Sequence, residues 1–196
     1  MTPHPIEQES YRILATRVDL GAFGPRSRAV VERVVHASAD PQLAETMVVS
    51  DDAVDAGIAA LRAGAAVVVD VEMVRAGITG YPTECQLAGA VAGPGGYPTR
   101  SAMGVRAAAA RFPEGAVWVI GCAPTALAEL VEQAAAGHVR PALVIALPVG
   151  FVGAAEAKAA ARGSALPVIS NVGEKGGSAV AAAAFNAVLR LSQAVG

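Results

Sequence analysis

Aromatic residues and cysteines are scarce in this sequence. Only 4% of its 196 residues are Phe, Trp or Tyr, although hydrophobic residues of all kinds reach 54%. Because the apolar mass is mostly alanine and valine, we expect helices packed closely against a sheet rather than stacked rings. Cys85 and Cys122 are isolated and show no CxxC spacing. They are typical of free, buried thiols in a reducing cytosol, and they speak against a disulfide framework.

Positive charge and long apolar runs are also lacking. The net charge is −2 and the isoelectric point is about 5.9, with no basic stripe, so we expect no nucleic-acid partner. The uncharged run 141–155 is interrupted by Pro148 and Gly150 and is shorter than the roughly 20 residues that a membrane span needs. Glu7 and Glu9 lie where a signal peptide would be apolar. We therefore expect a cytoplasmic protein without a membrane partner.

Several catalytic and cofactor motifs are absent. The sequence has no GxGxxG, GxxxxGK[ST], GxSxG or HExxH pattern. The sequence therefore does not support a dinucleotide site, a P-loop, an acyl-serine enzyme or a zinc protease. No cluster of metal-ligating residues is visible, so we expect neither a metal nor a cofactor.

Strands that alternate with helices are the main pattern present. Buried strands are predicted at 65–71, 116–120, 142–147 and 167–170, and further strands at 46–49 and 84–91. The last three buried strands each lead through a turn into a helix. This alternation predicts one α/β domain over residues 1–196, with a mainly parallel sheet between two helical layers. Ligands of such sheets bind at the carboxyl ends of the strands, beside a switch point in the strand order.

Glycine-rich turns follow three of the predicted strands, at 121–125, 148–153 and 171–178. Backbone N–H groups at the helix starts that follow could bind an anion. The alternative is that the glycines serve tight connections only. Lys175, one of two lysines, lies in the last turn, and Arg100 lies at the start of another helix, where it opposes the helix dipole. Arg100 is either an ordinary surface charge or the partner of an anion.

His36 is the leading candidate for an acid or base near neutral pH. It is one of three histidines and lies in the last turn of a helix that begins near Pro25. The ordinary alternative is a solvated histidine that the helix dipole favours. Ser10 lies within the apolar stripe of the first helix, 5–18. Its hydroxyl either bonds the preceding turn or faces a pocket.

The ordered set of motifs resembles the precorrin-8X methylmutase family across nearly the whole chain. The residues that carry the resemblance are HPIEQESYRIL, VERVVHASAD, SDDAVDAGIAALRAGAAVVVDVEMVRAGIT, PTRSA, IGCAPTALAEL, PALVIALPVGFVGAAEAK and GEKGGSAVAAAAFNA. The resemblance implies a homodimer with a flavodoxin-like sheet. It also implies an isomerase that moves a methyl group from C11 to C12 of precorrin-8X and gives hydrogenobyrinate, or the same reaction on cobalt-precorrin-8.

The resemblance assigns roles to residues of this chain. His36 matches the family's catalytic histidine and would donate a proton to the ring system. Ser10, Thr79 and Arg100 match substrate-contacting residues. With Ser101 and Lys175 they form the expected set that binds the carboxylates and rim of the macrocycle.

Cys122, Val172 and Glu174 depart from the family pattern, since Cys122 stands where Asn is frequent and the other two where arginines are frequent. These changes reduce the donors and the positive charge near a carboxylate-rich ligand. Two hypotheses compete with the mutase. One is a non-catalytic corrinoid carrier, and the other is an unrelated α/β enzyme that binds a phosphorylated metabolite.

Overall fold

The computed structural model describes residues 4–194, in which nine α-helices and five strands follow the chain. The helices are α1 Pro5–Ala15, α2 Pro25–Ser38, α3 Gln42–Thr46, α4 Asp51–Arg62, α5 Glu72–Gly77, α6 Arg100–Arg111, α7 Pro124–Ala135, α8 Ala154–Gly163 and α9 Ser178–Gln193. The strands are β1 Met47–Val48, β2 Val67–Val69, β3 Val117–Ile120, β4 Leu143–Ala146 and β5 Val168–Asn171. A single 3₁₀ turn, Pro94–Gly96, precedes α6.

The five strands form one sheet in the order β1-β5-β4-β3-β2. Strands β2 to β5 are parallel to one another, and only the two-residue strand β1 pairs antiparallel, with β5. The predicted α/β class with a mainly parallel sheet between helical layers is thereby confirmed. In contrast, the strand predicted at 84–91 is wrong. Only Glu84 bridges β2, since the alanines and glycine that follow fit a pleated strand poorly.

The four parallel strands follow one another in chain order. Helices α6, α7 and α8 lie together on one face, as expected when successive crossovers have the same hand, and α7 packs on both of its neighbours. Helices α2, α4, α5 and α9 cover the other face, and α9 contacts the other three. Within β2–β5 the order does not reverse, so the switch point expected from the sequence is not found among these strands.

Each sheet face has its own apolar core. Val67, Val117 and Leu143 pack towards α4 and α9, whereas Trp118 and Val144 pack towards α6, α7 and α8. The strands are short and fully buried, so their apolar runs are nearly continuous rather than alternating. No helix within residues 4–194 is long and apolar enough to cross a membrane.

The small residues of the sequence permit this close packing. A Cβ placed on Gly57 in α4 would lie 2.5 Å from Cδ2 of Leu143 and 3.1 Å from Cγ1 of Val188. Helix α4 therefore contacts strand β4 and helix α9 through its bare backbone at this point. This agrees with the expectation that an alanine- and valine-rich chain packs helices tightly on its sheet.

Candidate active site

His36 lies in the last turn of α2, where the helix backbone is firmly held. Val30, Val31, Val34 and Val35 form the buried stripe of this helix. The helix ends at Ser38, since the next residue adopts a left-handed conformation and a proline follows soon after. The histidine ring leaves the stripe on the other side and is half-buried.

Helix α1 contacts the ring of His36 in two ways. Nδ1 of His36 lies 2.8 Å from Oγ of Ser10, within hydrogen-bond distance. The phenol ring of Tyr11 stacks on the imidazole with the ring centroids 4.8 Å apart and the planes 18° from parallel. Of the alternatives left open for Ser10, the structure shows the one in which its hydroxyl faces a pocket and a side-chain partner.

A cavity of about 100 Å³ adjoins this pair. It lies between α1 and the end of α2, and it is mostly apolar with Ser10 and His36 among its polar walls. Its lining residues are Ser10, Ile13, Leu14, Arg17, Val18, Val35, His36, Ala39 and Pro41. Within residues 4–194, Nε2 of His36 has no hydrogen-bond partner. Nε2 is therefore the ring atom left available for a ligand.

The Ser10–His36 pair can accommodate a proton transfer without rearranging. A serine hydroxyl both donates and accepts. When the imidazole is neutral with its proton on Nδ1, Nδ1–H donates to the oxygen of Ser10 and Nε2 carries no proton. When the imidazole carries two protons, Nδ1–H donates to the oxygen of Ser10. A proton at Nε2 can thus leave and return while the same contact persists.

Lys175 links the β5–α9 turn to the segment that follows the His36 helix. Its Nζ donates to Oδ2 of Asp40 at 2.6 Å and to Oε1 of Gln42 at 2.7 Å. This hydrogen bond from Lys175 lowers the pKa of Asp40 below its usual range. Asp40 lies between Ala39 and Pro41, two residues of the cavity wall. Lys175 therefore holds a wall of the His36 cavity in addition to any contact it makes with a ligand.

A buried lysine supports the same turn from beneath. Nζ of Lys158, in α8, donates to Oδ1 of Asn171 at 3.0 Å and to the carbonyl of Lys175 at 2.7 Å. Burial, reinforced by the nearby charge of Arg162, lowers the pKa of Lys158 to about 8. Lys158 is not among the predicted site residues. The sequence signal for its burial is that it shares the apolar face of α8 with Ala154 and Ala157.

Arg100 begins α6, and its guanidinium faces the preceding loop. Nε donates to the carbonyl of Ala90 and Nη2 to that of Leu87, each at 3.2 Å. Two of its five N–H groups are engaged in this way, and the side chain is exposed. Ser101, half-buried, follows in the first turn of the helix. Thr99 caps that turn by accepting a hydrogen bond from the N–H of Ala102 at 3.3 Å.

The β3–α7 turn does not offer an open anion site. The buried carboxylate of Asp70 accepts from the N–H groups of Gly121, Cys122 and Ala123 at 3.0, 2.9 and 2.9 Å. Burial raises the pKa of Asp70, and these three hydrogen bonds oppose the rise. Of the two alternatives for this turn, an anion site or a tight connection, its N–H groups are thus engaged by an internal carboxylate. The signal was the single acid in the apolar run 65–71.

The half-buried thiol of Cys122 adjoins Asp70. Burial raises the pKa of the thiol, and the carboxylate raises it further. Both cysteines are free, as expected, although each is half-buried rather than fully buried. The turns before α8 and α9 have no side-chain cap, so their helix starts keep N–H groups for another partner.

The turns at the carboxyl edge of the sheet are joined by direct contacts. The N–H of Gly150 donates to the carbonyl of Glu174 at 3.1 Å, which joins the β4–α8 and β5–α9 turns. Oγ1 of Thr99 lies 2.7 Å from Oγ1 of Thr125, which joins the starts of α6 and α7. Thr79 is exposed just after α5, and no hydrogen bond within residues 4–194 joins it to the other candidates.

The structure thus brings Ser10 and His36 together at one end of this edge, and Lys175 reaches the same end through Asp40. Arg100, Ser101 and Thr79 belong to elements at the other end. Tyr11 was not among the predicted site residues, because the sequence does not reveal which side chain of α1 faces which side chain of α2. In the part of the chain that the structure describes, no group of three His, Cys, Asp or Glu side chains could hold a metal ion.

Comparison with known proteins gives a consistent result. The family model for precorrin-8X methylmutase matches residues 5–191. The cobalt-precorrin-8 methylmutase of Methanothermobacter thermautotrophicus is 41% identical over 178 residues, which are 89% of this chain and 85% of that one. The precorrin-8X methylmutase of Pseudomonas aeruginosa is 38% identical over 195 residues and 93% of each chain. A crystal structure of the Thermus thermophilus precorrin-8X methylmutase superposes with a TM-score of 0.84 at 36% identity, over 95% of both chains.

Proposed function

This chain belongs to the precorrin-8X methylmutase family and is a methyl-shifting isomerase of cobalamin biosynthesis; we propose that His36 donates the proton for the shift. The observation that carries the proposal is the 2.8 Å contact between Oγ of Ser10 and Nδ1 of His36, which leaves Nε2 available beside a cavity. The substrate that we propose is precorrin-8X, whose methyl group moves from C11 to C12 to give hydrogenobyrinate.

A methyl migration within a conjugated macrocycle breaks one C–C bond and forms another, so no nucleophile and no external electron donor is needed. A proton on a ring nitrogen would draw electron density from the carbon atoms between which the methyl group moves and would lower the activation barrier of the shift. Nε2–H of His36 would supply that proton and recover it after the shift. A general acid positioned in this way typically contributes about 10²–10⁴-fold to the rate.

The cavity beside His36 is too small for a whole corrin-like ring. Pockets that enclose drug-sized ligands measure roughly 300–1,000 Å³, whereas this cavity measures about 100 Å³. We propose that only the reacting edge of the macrocycle enters it and that the rest lies along the carboxyl edge of the sheet. The exposed side chains of Tyr97, Phe151 and Val152 would then supply apolar contacts to the ring.

The carboxylates on the rim of the macrocycle need cationic or N–H donors. We propose that the uncapped starts of α8 and α9 bind some of them, together with the remaining N–H groups of Arg100 and the hydroxyls of Thr79 and Ser101. Lys175 would bind a carboxylate by exchanging it for Asp40, its present partner. Glu174, exposed in the same turn, adds an opposing charge there.

The relatives bear both substrate names, so the metal content of the ring is part of the proposal. We propose the metal-free substrate, with the cobalt-containing one as the alternative. Parallel turnover assays with precorrin-8X and cobalt-precorrin-8 distinguish the two, because each is converted with its own change in absorbance. Conversion of cobalt-precorrin-8 alone would reject the metal-free substrate.

The role of His36 is tested by His36→Ala. We expect the loss of turnover, with the thermal unfolding midpoint and the affinity for hydrogenobyrinic acid close to wild type. Affinity is measured by absorbance titration of the purified protein. Normal turnover by the variant would remove His36 from the mechanism. Tight product binding by the wild-type protein without any conversion would favour the carrier alternative.

We also propose a homodimer. Met73 is 70% exposed and Val91 is 78% exposed, in addition to the exposed apolar residues that we propose to contact the ring. Exposed apolar residues in this number favour a surface that is covered in solution. Multi-angle light scattering at micromolar concentration should give twice the mass of the chain. A monomeric mass would reject this proposal without affecting the role of His36.

A further inference from the structure

We propose that Tyr11 is a positioning residue for the reaction, whose ring holds the imidazole of His36 at the angle from which Nε2 can reach the substrate. The inference rests on the proposed role of His36. Tyr11 would not touch the reacting atoms and would act only through its contact with the histidine ring.

The geometry shows two complementary constraints on one planar ring. Ser10 and Tyr11 are consecutive residues on α1, so their side chains point about 100° apart around the helix axis. Ser10 meets the edge of the imidazole at Nδ1, and Tyr11 meets its face. The last torsion of a histidine side chain is broad and roughly two-fold, so neither its tilt nor its flip is fixed intrinsically. The hydrogen bond selects the flip, and the stack selects the tilt.

The body of the Tyr11 ring, rather than its hydroxyl, accounts for the contact. In the described part of the chain the hydroxyl has no hydrogen-bond partner, whereas the half-buried ring packs against the core that α2 covers. A second cavity, of about 240 Å³, lies against Tyr11 and is lined in part by Arg33, Arg190 and Leu191. His36 does not line this second cavity, so Tyr11 contacts the imidazole on one side and this open space on another.

Two substitutions separate the ring from the hydroxyl. Tyr11→Leu keeps an apolar helix former but removes the flat ring, and Tyr11→Phe removes only the hydroxyl. We expect kcat of Tyr11→Leu to fall about 10–100-fold, the scale of a misplaced catalytic group, with little change in KM. We expect Tyr11→Phe to keep kcat within about twofold of wild type. Arg12→Ala, on the same helix, is the control and should behave as wild type, because within residues 4–194 Arg12 pairs with Glu9 and not with His36.

Proton NMR of the histidine rings tests whether the stack exists in solution, and it complements the separate effects on kcat and KM. The chain has only three histidines, so the spectrum of His36 is identified by its loss in His36→Ala. The stacked phenol should shift the ring protons of His36 upfield in the wild type and in Tyr11→Phe. This shift should be lost in Tyr11→Leu, while hydrogenobyrinic acid still binds with wild-type affinity.

Equal kcat values for wild type and Tyr11→Leu would overturn the proposal, and so would a Tyr11→Phe variant as slow as Tyr11→Leu. A parallel rise in KM with unchanged kcat would assign Tyr11 to substrate binding instead and would also reject it. The His36→Ala arm separates these outcomes from failure of the proposed function. If that variant turns over normally, the role of His36 itself is wrong, whatever Tyr11 does.

Discussion

Lys158 should make the stability of this protein depend on alkaline pH. Its side chain is fully buried, and its Nζ is held by two neutral oxygens, Oδ1 of Asn171 and the carbonyl of Lys175. No carboxylate within salt-bridge distance compensates its charge in residues 4–194. Burial first, and the positive charge of Arg162 second, lower the pKa of Lys158 from 10.5 to about 8.

The folded and unfolded chains release the proton of Lys158 at different pH values, and this difference sets the direction in which stability changes with pH. Between about pH 8 and pH 10.5 the unfolded chain keeps a proton on Lys158 that the folded chain has released. Raising the pH through this window therefore favours the folded state. With these two pKa values, the contribution of Lys158 to the free energy of unfolding rises by about 2 kcal/mol between pH 7 and pH 9.5. Most of that rise falls above pH 8.

The measurement is urea unfolding of the wild type and of Lys158→Met at several pH values in this range. Methionine has a similar length and no charge, so other titrating groups are the same in both proteins and cancel in the difference. At pH 7 the two should differ little, because the variant removes a desolvated charge but leaves Oδ1 of Asn171 without its lysine donor. At pH 9.5 the wild type should be more stable, relative to the variant, by about 2 kcal/mol more than at pH 7. If the difference in unfolding free energy between the two proteins stayed constant with pH, the lowered pKa of Lys158 would be refuted.

Three further changes test other parts of the structure. Asp70→Ala removes the acceptor of three N–H groups at the start of α7 and should lower the free energy of unfolding by about 2–4 kcal/mol, measured by urea denaturation. Gly57→Ala should lower the free energy of unfolding by about 1–3 kcal/mol, although alanine has the better helix propensity. The control Gly163→Ala, with open space around the added Cβ, should be neutral or slightly stabilising. Equal effects of the two changes would contradict the close contact at Gly57. Ser10→Ala should reduce kcat about tenfold with little change in KM, because His36 loses the partner that fixes its flip; unchanged kcat would reject that role.

The sheet was predictable because its strands carry a strong signal. Segments 116–120, 142–147 and 167–170 were predicted, and strands Val117–Ile120, Leu143–Ala146 and Val168–Asn171 are observed. Short buried runs between glycine turns have few other stable arrangements. The strand order was harder to predict, because local sequence does not specify which strands are neighbours. The reversal expected beside the ligand site is therefore missing from the described sheet.

The polar interior was predicted less well than the apolar interior. Asp70 was read as part of a strand and Lys158 as part of a helix, yet each holds a neighbouring turn through buried hydrogen bonds. A charged residue inside an apolar stripe signals a partner, but the partner comes from another element. Its identity therefore depends on the tertiary arrangement. For the same reason the sequence predicts a ligand for Lys175, whereas within the described residues its Nζ contacts Asp40 and Gln42.

The two helices that form the His36 site differ in how deeply they are buried. Substitutions in one should therefore affect stability, and substitutions in the other should affect turnover. Four valines bury α2 in the core, so its backbone fixes where His36 begins. Helix α1, in contrast, buries one residue, Leu14, and its main contacts are with α2. Substitutions on the buried face of α2 should therefore reduce stability. Substitutions at Ser10 or Tyr11 should mainly alter turnover, because they release the imidazole without opening the core. The free energy of unfolding and kcat should be measured for both sets of variants. If both quantities fell together in the variants of each helix, this division would be contradicted.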